Sequence, residues 1–166
     1  MISSISTTAL KVASIQMVST PVLKDNMATA TMLIKAAAED GANLVVLPEY
    51  FCLMGLKDND KVHAREAFGN GPIQEELAAI AKRNGIYLVA GTIPLEAKDP
   101  NKVLNTMLAF NPDGQRIGRY DKIHLFGFQT STERYQESET IEAGNEPGIL
   151  KISVNGQDWT FGLSIC

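Results

Sequence analysis

Three side chains of this sequence, Glu49, Lys122 and Cys166, are of types that together can break an amide bond. A cysteine attacks a carbonyl or nitrile carbon as its thiolate, and it therefore needs a base such as a glutamate to take its proton. A lysine ammonium fixed beside the reacting carbon stabilises the negative charge that develops on oxygen. Such a set would hydrolyse a carbon–nitrogen bond through a thioester, releasing ammonia first and the acid second.

Each of these residues also has an ordinary structural explanation. Glu49 can be a strand-end glutamate that faces water, and Lys122 can be a surface lysine whose stem covers apolar neighbours. Cys166 can be a small buried hydrophobe at a strand end, an explanation that suits Cys52 even better. Neither histidine has a second ligand at metal-binding spacing, and no glycine-rich phosphate loop is present, so the sequence favours no metal and no cofactor.

The element that must position Glu49 is the short apolar run over residues 43–50, which we predict to be a buried strand that carries Glu49 to its C-terminal end. Ligands bind at that end of the strands in open α/β sheets. Residues 11–17 alternate as a first strand, and residues 25–40 have apolar side chains at helical spacing, with Asp25 as the cap. The order strand, helix, strand predicts a parallel crossover unit.

The pattern then repeats. We predict a helix from Pro72 to the glycine at position 85 and a buried strand over residues 86–92, so the order βαβαβ indicates an α/β sheet. Residues 52–70 form a long loop, with a short helix near 62–67, that we expect to shape the site.

The later part of the chain predicts two antiparallel hairpins, because strong turn signals separate short alternating runs. These hairpins pair residues 103–110 with 115–120, and residues 150–154 with 159–165. Between them, residues 127–144 are expected to be a polar loop, and its glutamates, Glu137 among them, are expected to be solvated.

Composition bounds the class of protein. With 166 residues and 45% hydrophobic content, we expect one domain over residues 11–166, preceded by a flexible tail over residues 1–10. The net charge of −4 and the lack of a basic run argue against nucleic acid, and no apolar run is long enough to span a membrane. The expected partner is a small molecule. Two cysteines suit a reducing compartment, which predicts a cytoplasmic protein.

Four motifs, taken together, resemble the nitrilase superfamily of carbon–nitrogen hydrolases, and its omega-amidase and deaminated-glutathione amidase branch in particular. They are LPEY at 47–50, RYDKIHLF at 119–126, QES at 136–138 and GLSIC at 162–166. Their order and spacing match from residue 11 to the last residue.

The resemblance implies an α/β fold with a mixed sheet, of which this chain is the N-terminal portion in a four-layer αββα sandwich, and a homo-oligomer. It implies that Glu49 is the general base, Lys122 the oxyanion-stabilising lysine and Cys166 the nucleophile. It adds Glu137 as a second glutamate that orients the lysine and substrate. The implied reaction is hydrolysis of a small linear amide without a cofactor.

The ending of the sequence sets an expectation of its own. A strand pattern stops at Cys166, whereas in the family more chain follows the cysteine and its first N–H helps to form the oxyanion hole. We therefore expect the 166-residue chain alone to be incomplete, inactive or nearly so, and prone to aggregate through an exposed sheet face. The alternatives are a nitrilase that acts on a nitrile, or a fragment that associates with a full-length homologue without turnover.

Overall fold

The structure is a computed structural model that describes residues 9–166, so the predicted tail lies almost wholly outside the described residues. Its main feature is a five-stranded sheet in which the strands follow chain order. The strands are β1 (Val12–Ser14), β2 (Leu44–Val46), β3 (Tyr87–Glu96), β4 (Val103–Phe110) and β5 (Arg116–Asp121). The first three are mutually parallel and the last two are antiparallel to their neighbours, which confirms the predicted mixed sheet.

Three helices accompany the sheet: α1 (Leu23–Glu39), α2 (Asp60–His63) and α3 (Pro72–Asn84). The predicted cap of α1 was wrong, because the helix begins before Asp25 and no side chain caps it. Asp25 instead lies in the first turn, where a carboxylate interacts favourably with the helix dipole. The short helix in the loop also begins and ends earlier than predicted. None of the described helices is long and apolar enough to cross a membrane.

The two faces of the sheet pack against different layers, because successive side chains of a strand point to opposite sides. One set faces α1 and α3, and it includes Val45, Leu88 and Leu108. The alternate set faces a second hairpin, and it includes Leu44, Val89 and Ala109. The structure therefore has the layer order αββ.

The second hairpin consists of β8 (Gly148–Val154) and β9 (Gln157–Leu163), as predicted. Leu150, Ile152 and Val154 alternate along β8 and are buried against the sheet. The hairpin thus covers one face of the five-stranded sheet, because the apolar alternation of β8 supplies the partner for that face. The outer face of the hairpin, which includes Ile149, is exposed, as expected of a chain with an open sheet face.

The polar loop predicted over residues 127–144 contains a third hairpin, β6 (Gly127–Gln129) with β7 (Arg134–Gln136), followed by a single 3-10 turn over Glu137–Glu139. Phe128 lies opposite Tyr135, and their ring centroids are 6.2 Å apart. Such cross-strand aromatic pairs stabilise a short ribbon even among polar residues. The loop prediction overlooked this pairing.

The strand that leads to Glu49 is shorter than predicted. The β2 ladder ends at Val46, and the last pairing bond runs from the Leu47 N–H to the Val89 carbonyl, at 2.9 Å. Pro48 has no N–H to donate, so the ladder cannot continue past it. Glu49 therefore lies in the loop after the strand rather than on the strand itself.

A glycine of β3 lets this loop pass close by. A Cβ atom at Gly91 would lie 1.9 Å from the Pro48 carbonyl oxygen and 2.3 Å from that of Leu47. Gly91 also sits at the irregularity in the β3–β4 register. The approach of these two backbones fixes where residues 48 and 49 leave the sheet.

We expect Gly91→Ala to destabilise the fold by about 1–3 kcal/mol, because the added methyl group must displace backbone rather than a flexible side chain. Gly162→Ala is the matched control, since a Cβ atom there meets nothing within 4 Å. Urea denaturation of both variants measures the difference. Equal free energies of unfolding for the two variants would contradict the proposed close packing.

Candidate active site

The centre of the site is Lys122, which follows β5 and is only 1% exposed. Its backbone is held on both sides: its N–H donates to the Asn105 carbonyl at 3.0 Å, and its carbonyl accepts from the Gly144 N–H at 2.9 Å. The explanation of Lys122 as a surface lysine was therefore wrong. A lysine this deeply buried needs compensating charge.

Two carboxylates supply that charge. The Lys122 Nζ atom lies 3.0 Å from Glu49 Oε1, and it lies 3.1 Å and 2.9 Å from the two oxygens of Glu137. The three residues come from segments that are far apart in sequence, after β2, after β5 and after β7. The structure thus brings together three of the four predicted site residues.

Glu137 is the more deeply buried of the two carboxylates, at 4% exposure, so the expectation that it is solvated was wrong. Its Oε2 atom accepts from the Phe126 backbone N–H at 2.8 Å, and its Oε1 atom accepts from the Tyr50 hydroxyl at 3.0 Å. Burial by itself raises the pKa of this carboxyl, but these bonds and Lys122 outweigh it and hold the pKa below its ordinary value.

Burial and neighbouring charges also have opposing effects on the pKa of Lys122. Burial lowers the pKa of an ammonium, but the hydrogen bonds and charges of Glu137 and Glu49 raise it above its ordinary value. Lys122 is therefore a charged lysine at neutral pH.

Glu49 differs from Glu137 in that its side chain is 32% exposed. Its Oε1 atom accepts both from Lys122 and from the side-chain amide of Asn105, at 2.8 Å. Sequence reasoning missed Asn105 and Tyr50 as members of the site. The sequence signal for Asn105 was an amide side chain in a strand whose only other polar residue is Thr106. In the structure Asn105 is 2% exposed, and a polar group buried so deeply needs a hydrogen-bond partner.

Cys166 stands apart from this cluster. It is exposed, and among residues 9–166 the structure records no hydrogen bond between it and Glu49, Lys122 or Glu137. Cys52 is 1% exposed, as its explanation as a buried hydrophobe predicts, and burial raises the pKa of its thiol to about 12. An inert thiol of this kind does not act as a nucleophile at neutral pH.

The ends of β5 and β9 nevertheless meet at one place. Gly148, the first residue of β8, is paired with Leu163 at the end of β9. A Cβ atom at Gly148 would lie 2.8 Å from the Cβ atom of Tyr120 and 2.9 Å from that of Leu163. Since Lys122 follows Tyr120 by two residues and Cys166 follows Leu163 by three, both leave the sheets from the same edge.

The described part of the chain contains no group of three histidine, cysteine, aspartate or glutamate side chains arranged to hold a metal ion.

We expect Glu137→Gln to lower the free energy of unfolding by about 3–5 kcal/mol at neutral pH, because it leaves the Lys122 ammonium without its buried counter-charge. The contribution of Glu137 is complete above the ordinary glutamate pKa of 4.5, since the folded-state pKa is lowered, and it is lost as the pH falls through that lowered value. Denaturation of wild type and variant at several pH values should give curves that converge in acid.

Glu139→Gln is the matched control, because Glu139 is an exposed glutamate two residues away, with 59% of its side chain accessible and one ion pair to Arg134. Its effect should stay within about 0.5 kcal/mol at every pH. A difference for Glu137→Gln that does not depend on pH would contradict the ionised state assigned to Glu137.

Comparison with known proteins identifies the family of this chain. The model of the carbon–nitrogen hydrolase family matches residues 11–166. Omega-amidase NIT2-A from Xenopus laevis is 39% identical over 141 residues, which cover 84% of this chain and 50% of that protein. Deaminated glutathione amidase from Synechocystis sp. is 34% identical over 157 residues, covering 93% of this chain and 56% of that protein. The chain spans about half the length of the curated relatives it matches.

Solved structures give the same result for the fold. Nit3 of Saccharomyces cerevisiae, a member of branch 10 of the nitrilase superfamily, is 29% identical with a TM-score of 0.76, and the match covers 95% of this chain and 55% of Nit3. An amidase from Nesterenkonia sp., at 22% identity and a TM-score of 0.73, shares the fold. The layers α, β and β described above are thus a portion of the αββα fold of this superfamily. By its family model, its relatives and its fold, the chain belongs to the carbon–nitrogen hydrolase family.

Proposed function

We propose that the protein carrying this sequence is an amidase that hydrolyses the carbon–nitrogen bond of a small linear amide to ammonia and a carboxylic acid. The observation that carries the proposal is the buried Lys122 ammonium held between two carboxylates. A structural ion pair needs one partner of each sign. Here two carboxylates contact a single lysine that is deeply buried. Arrangements of that kind concentrate at functional sites.

Lys122 has a donor left for the reaction. An ammonium carries three N–H donors, and here one donates to Glu49 and one is shared by the two oxygens of Glu137. The third is available for the oxygen of a bound amide. Because Lys122 is already charged and fixed before the substrate arrives, it can stabilise the developing oxyanion without reorganising.

Glu49 is the carboxylate suited to act as the general base. Its Oε1 atom is occupied by Lys122 and Asn105, while its Oε2 atom accepts no hydrogen bond from residues 9–166. The free oxygen belongs to the more exposed carboxylate, so it can reach a substrate. Both oxygens of Glu137 are occupied, which suits an orienting role.

The reaction then proceeds in two halves. Glu49 takes the Cys166 thiol proton, the thiolate adds to the amide carbon, and Lys122 stabilises the oxyanion. Glu49 returns the proton to the leaving nitrogen as the carbon–nitrogen bond breaks, so ammonia leaves and a thioester remains. Glu49 next takes a proton from water as the water oxygen adds to the thioester carbon. The carbon–sulfur bond then breaks, Glu49 returns its proton to the Cys166 sulfur, and the carboxylic acid leaves.

Cys166 must reach Glu49 for this sequence of steps. The shared edge at which β5 and β9 end supports that placement, because three residues of chain can span about 10 Å.

The proposal also covers the domain, the assembly and location of the protein, and the choice of substrate. The catalytic domain includes residues 11–166, and the protein forms a homo-oligomer in the cytoplasm. Substrate choice is set by the loop over residues 52–70 and by the hairpin segment over residues 127–144, which flank the cluster. The substrate is a small amide rather than a nucleic acid or a membrane lipid.

We expect Cys166→Ala to abolish ammonia release from a panel of dicarboxylate monoamides and simple amides, because no other described thiol can form the thioester. The assay uses the protein in the length in which the cell makes it. Cys52→Ala is the matched control, since it removes the buried thiol, and it should retain activity.

The panel also includes the corresponding nitriles. Cys166-dependent ammonia release from nitriles but not from amides would replace the amidase proposal with a nitrilase. Release that survives Cys166→Ala would contradict the assigned nucleophile. A folded protein with no release from either class of substrate would contradict the proposed function as a whole.

A further inference from the structure

Tyr50 has a backbone conformation that its side chain does not favour. Its φ is +55°, in the left-handed region, where only Tyr50 and Asn155 are found among the non-glycine residues in 9–166. Asn155 lies with Gly156 in a hairpin turn that requires positive φ. Tyr50 lies in the turn at residues 49–50 that follows β2, not in a hairpin, and a bulky residue adopts this conformation only where its surroundings enforce it.

The surroundings hold Tyr50 at both ends. Its N–H donates to the Thr92 hydroxyl at 2.8 Å, and Thr92 is a buried residue of β3. Its own hydroxyl donates to Glu137 Oε1 at 3.0 Å. Its ring packs against the small apolar cluster that includes Val62 and Ile141. The residue is therefore clamped between the sheet and Glu137.

The conformation of Tyr50 affects where the side chains of residues 49 and 50 point. In an extended chain, neighbouring side chains point to opposite sides. Here Glu49 and Tyr50 are adjacent, yet both side chains reach the same cluster, Glu49 at the Lys122 ammonium and Tyr50 at the Glu137 carboxylate. The left-handed residue is what allows two consecutive side chains to converge.

We propose that Tyr50 is a positioning residue that holds the Glu137 carboxylate in the orientation in which it contacts the Lys122 ammonium. The proposal rests on the amidase function proposed above only for its effect on turnover. Tyr50 touches neither substrate nor reacting atoms, and it acts through Glu137. Removing its hydroxyl leaves Glu137 Oε1 with Lys122 as its remaining donor, so that Lys122 and the Phe126 N–H alone orient the carboxylate.

Several other groups act on Glu137 and must be kept constant in a test. Lys122 and Glu49 share the cluster, Lys61 from α2 lies within electrostatic range, and Tyr135 of β7 is influenced by the charge of Glu137. Tyr50→Phe preserves all of these groups and retains the packing of the ring. Tyr87→Phe is the matched control, because the Tyr87 hydroxyl bonds to the Ser153 carbonyl on the β8–β9 hairpin instead.

The first measurement is the titration of the Glu137 carboxyl by ¹³C NMR, which needs no activity. The Tyr50 hydrogen bond helps to lower the pKa of Glu137, so Tyr50→Phe should raise that pKa toward its ordinary value. Tyr87→Phe should leave it unchanged. An unchanged Glu137 pKa in Tyr50→Phe would overturn the proposal.

The second measurement is ammonia release. Tyr50→Phe should lower kcat by about tenfold with little change in KM, and the acid limb of its pH profile should move to higher pH, because Glu137 then protonates more readily. A loss of kcat that is equal at all pH values would indicate a merely structural effect and would overturn the positioning role. If wild type itself releases no ammonia, the amidase function fails, while the carboxyl titration still decides the role of Tyr50.

Discussion

An ammonium group that is almost fully removed from water is costly unless its charge is compensated nearby, and this requirement constrains the whole structure. Lys122 meets it with two carboxylates, each within about hydrogen-bonding distance of its Nζ atom. Neither carboxylate is a neighbour in sequence, since Glu49 is 73 residues away and Glu137 is 15 residues away. The cluster can therefore form only when the sheet and the hairpin segment over residues 127–144 are both in place.

The fold provides this placement through backbone contacts at the ends of strands. The close approach at Gly91 sets the position of the loop that carries Glu49, and the Thr92 hydroxyl fixes the next residue. The Glu137 N–H donates to the Phe126 carbonyl, and the Phe126 N–H donates to the Glu137 carboxylate, at the ends of the β6–β7 hairpin. Each charged group is thus held by backbone that is itself bonded, which limits how far it can move during a reaction.

Much of the fold could be predicted from the sequence, because local patterns determine it. Helix α3 lies between Pro72 and Gly85 as its end signals predict, and the two long hairpins follow their turn signals. The hairpin over residues 127–136 was missed, since its stabilising contact is the pairing of Phe128 with Tyr135 across a polar turn. The strands β1 and β2 were predicted to be longer than they are, because the apolar pattern of each continues past its last paired residue.

The candidate site could likewise be predicted only in part. The chemistry of their side chains suggested Glu49, Lys122 and Cys166. Glu137 was suggested only by the resemblance to the family, because its sequence neighbourhood is typical of a solvated loop. The partners of Asn105 and Tyr50 could not be predicted, because they lie 56 and 87 residues away in the sequence. Contacts of that range depend on the register of the sheet, which no local pattern determines.

The central claim is that Lys122 is a charged, buried lysine clamped by two carboxylates, and ¹⁵N NMR of its Nζ atom tests it most directly. The structure predicts an ammonium resonance for Lys122 that exchanges slowly with water and persists above the ordinary lysine pKa of 10.5, because its pKa is raised. Deprotonation of Lys122 at or below pH 10.5 would contradict the account.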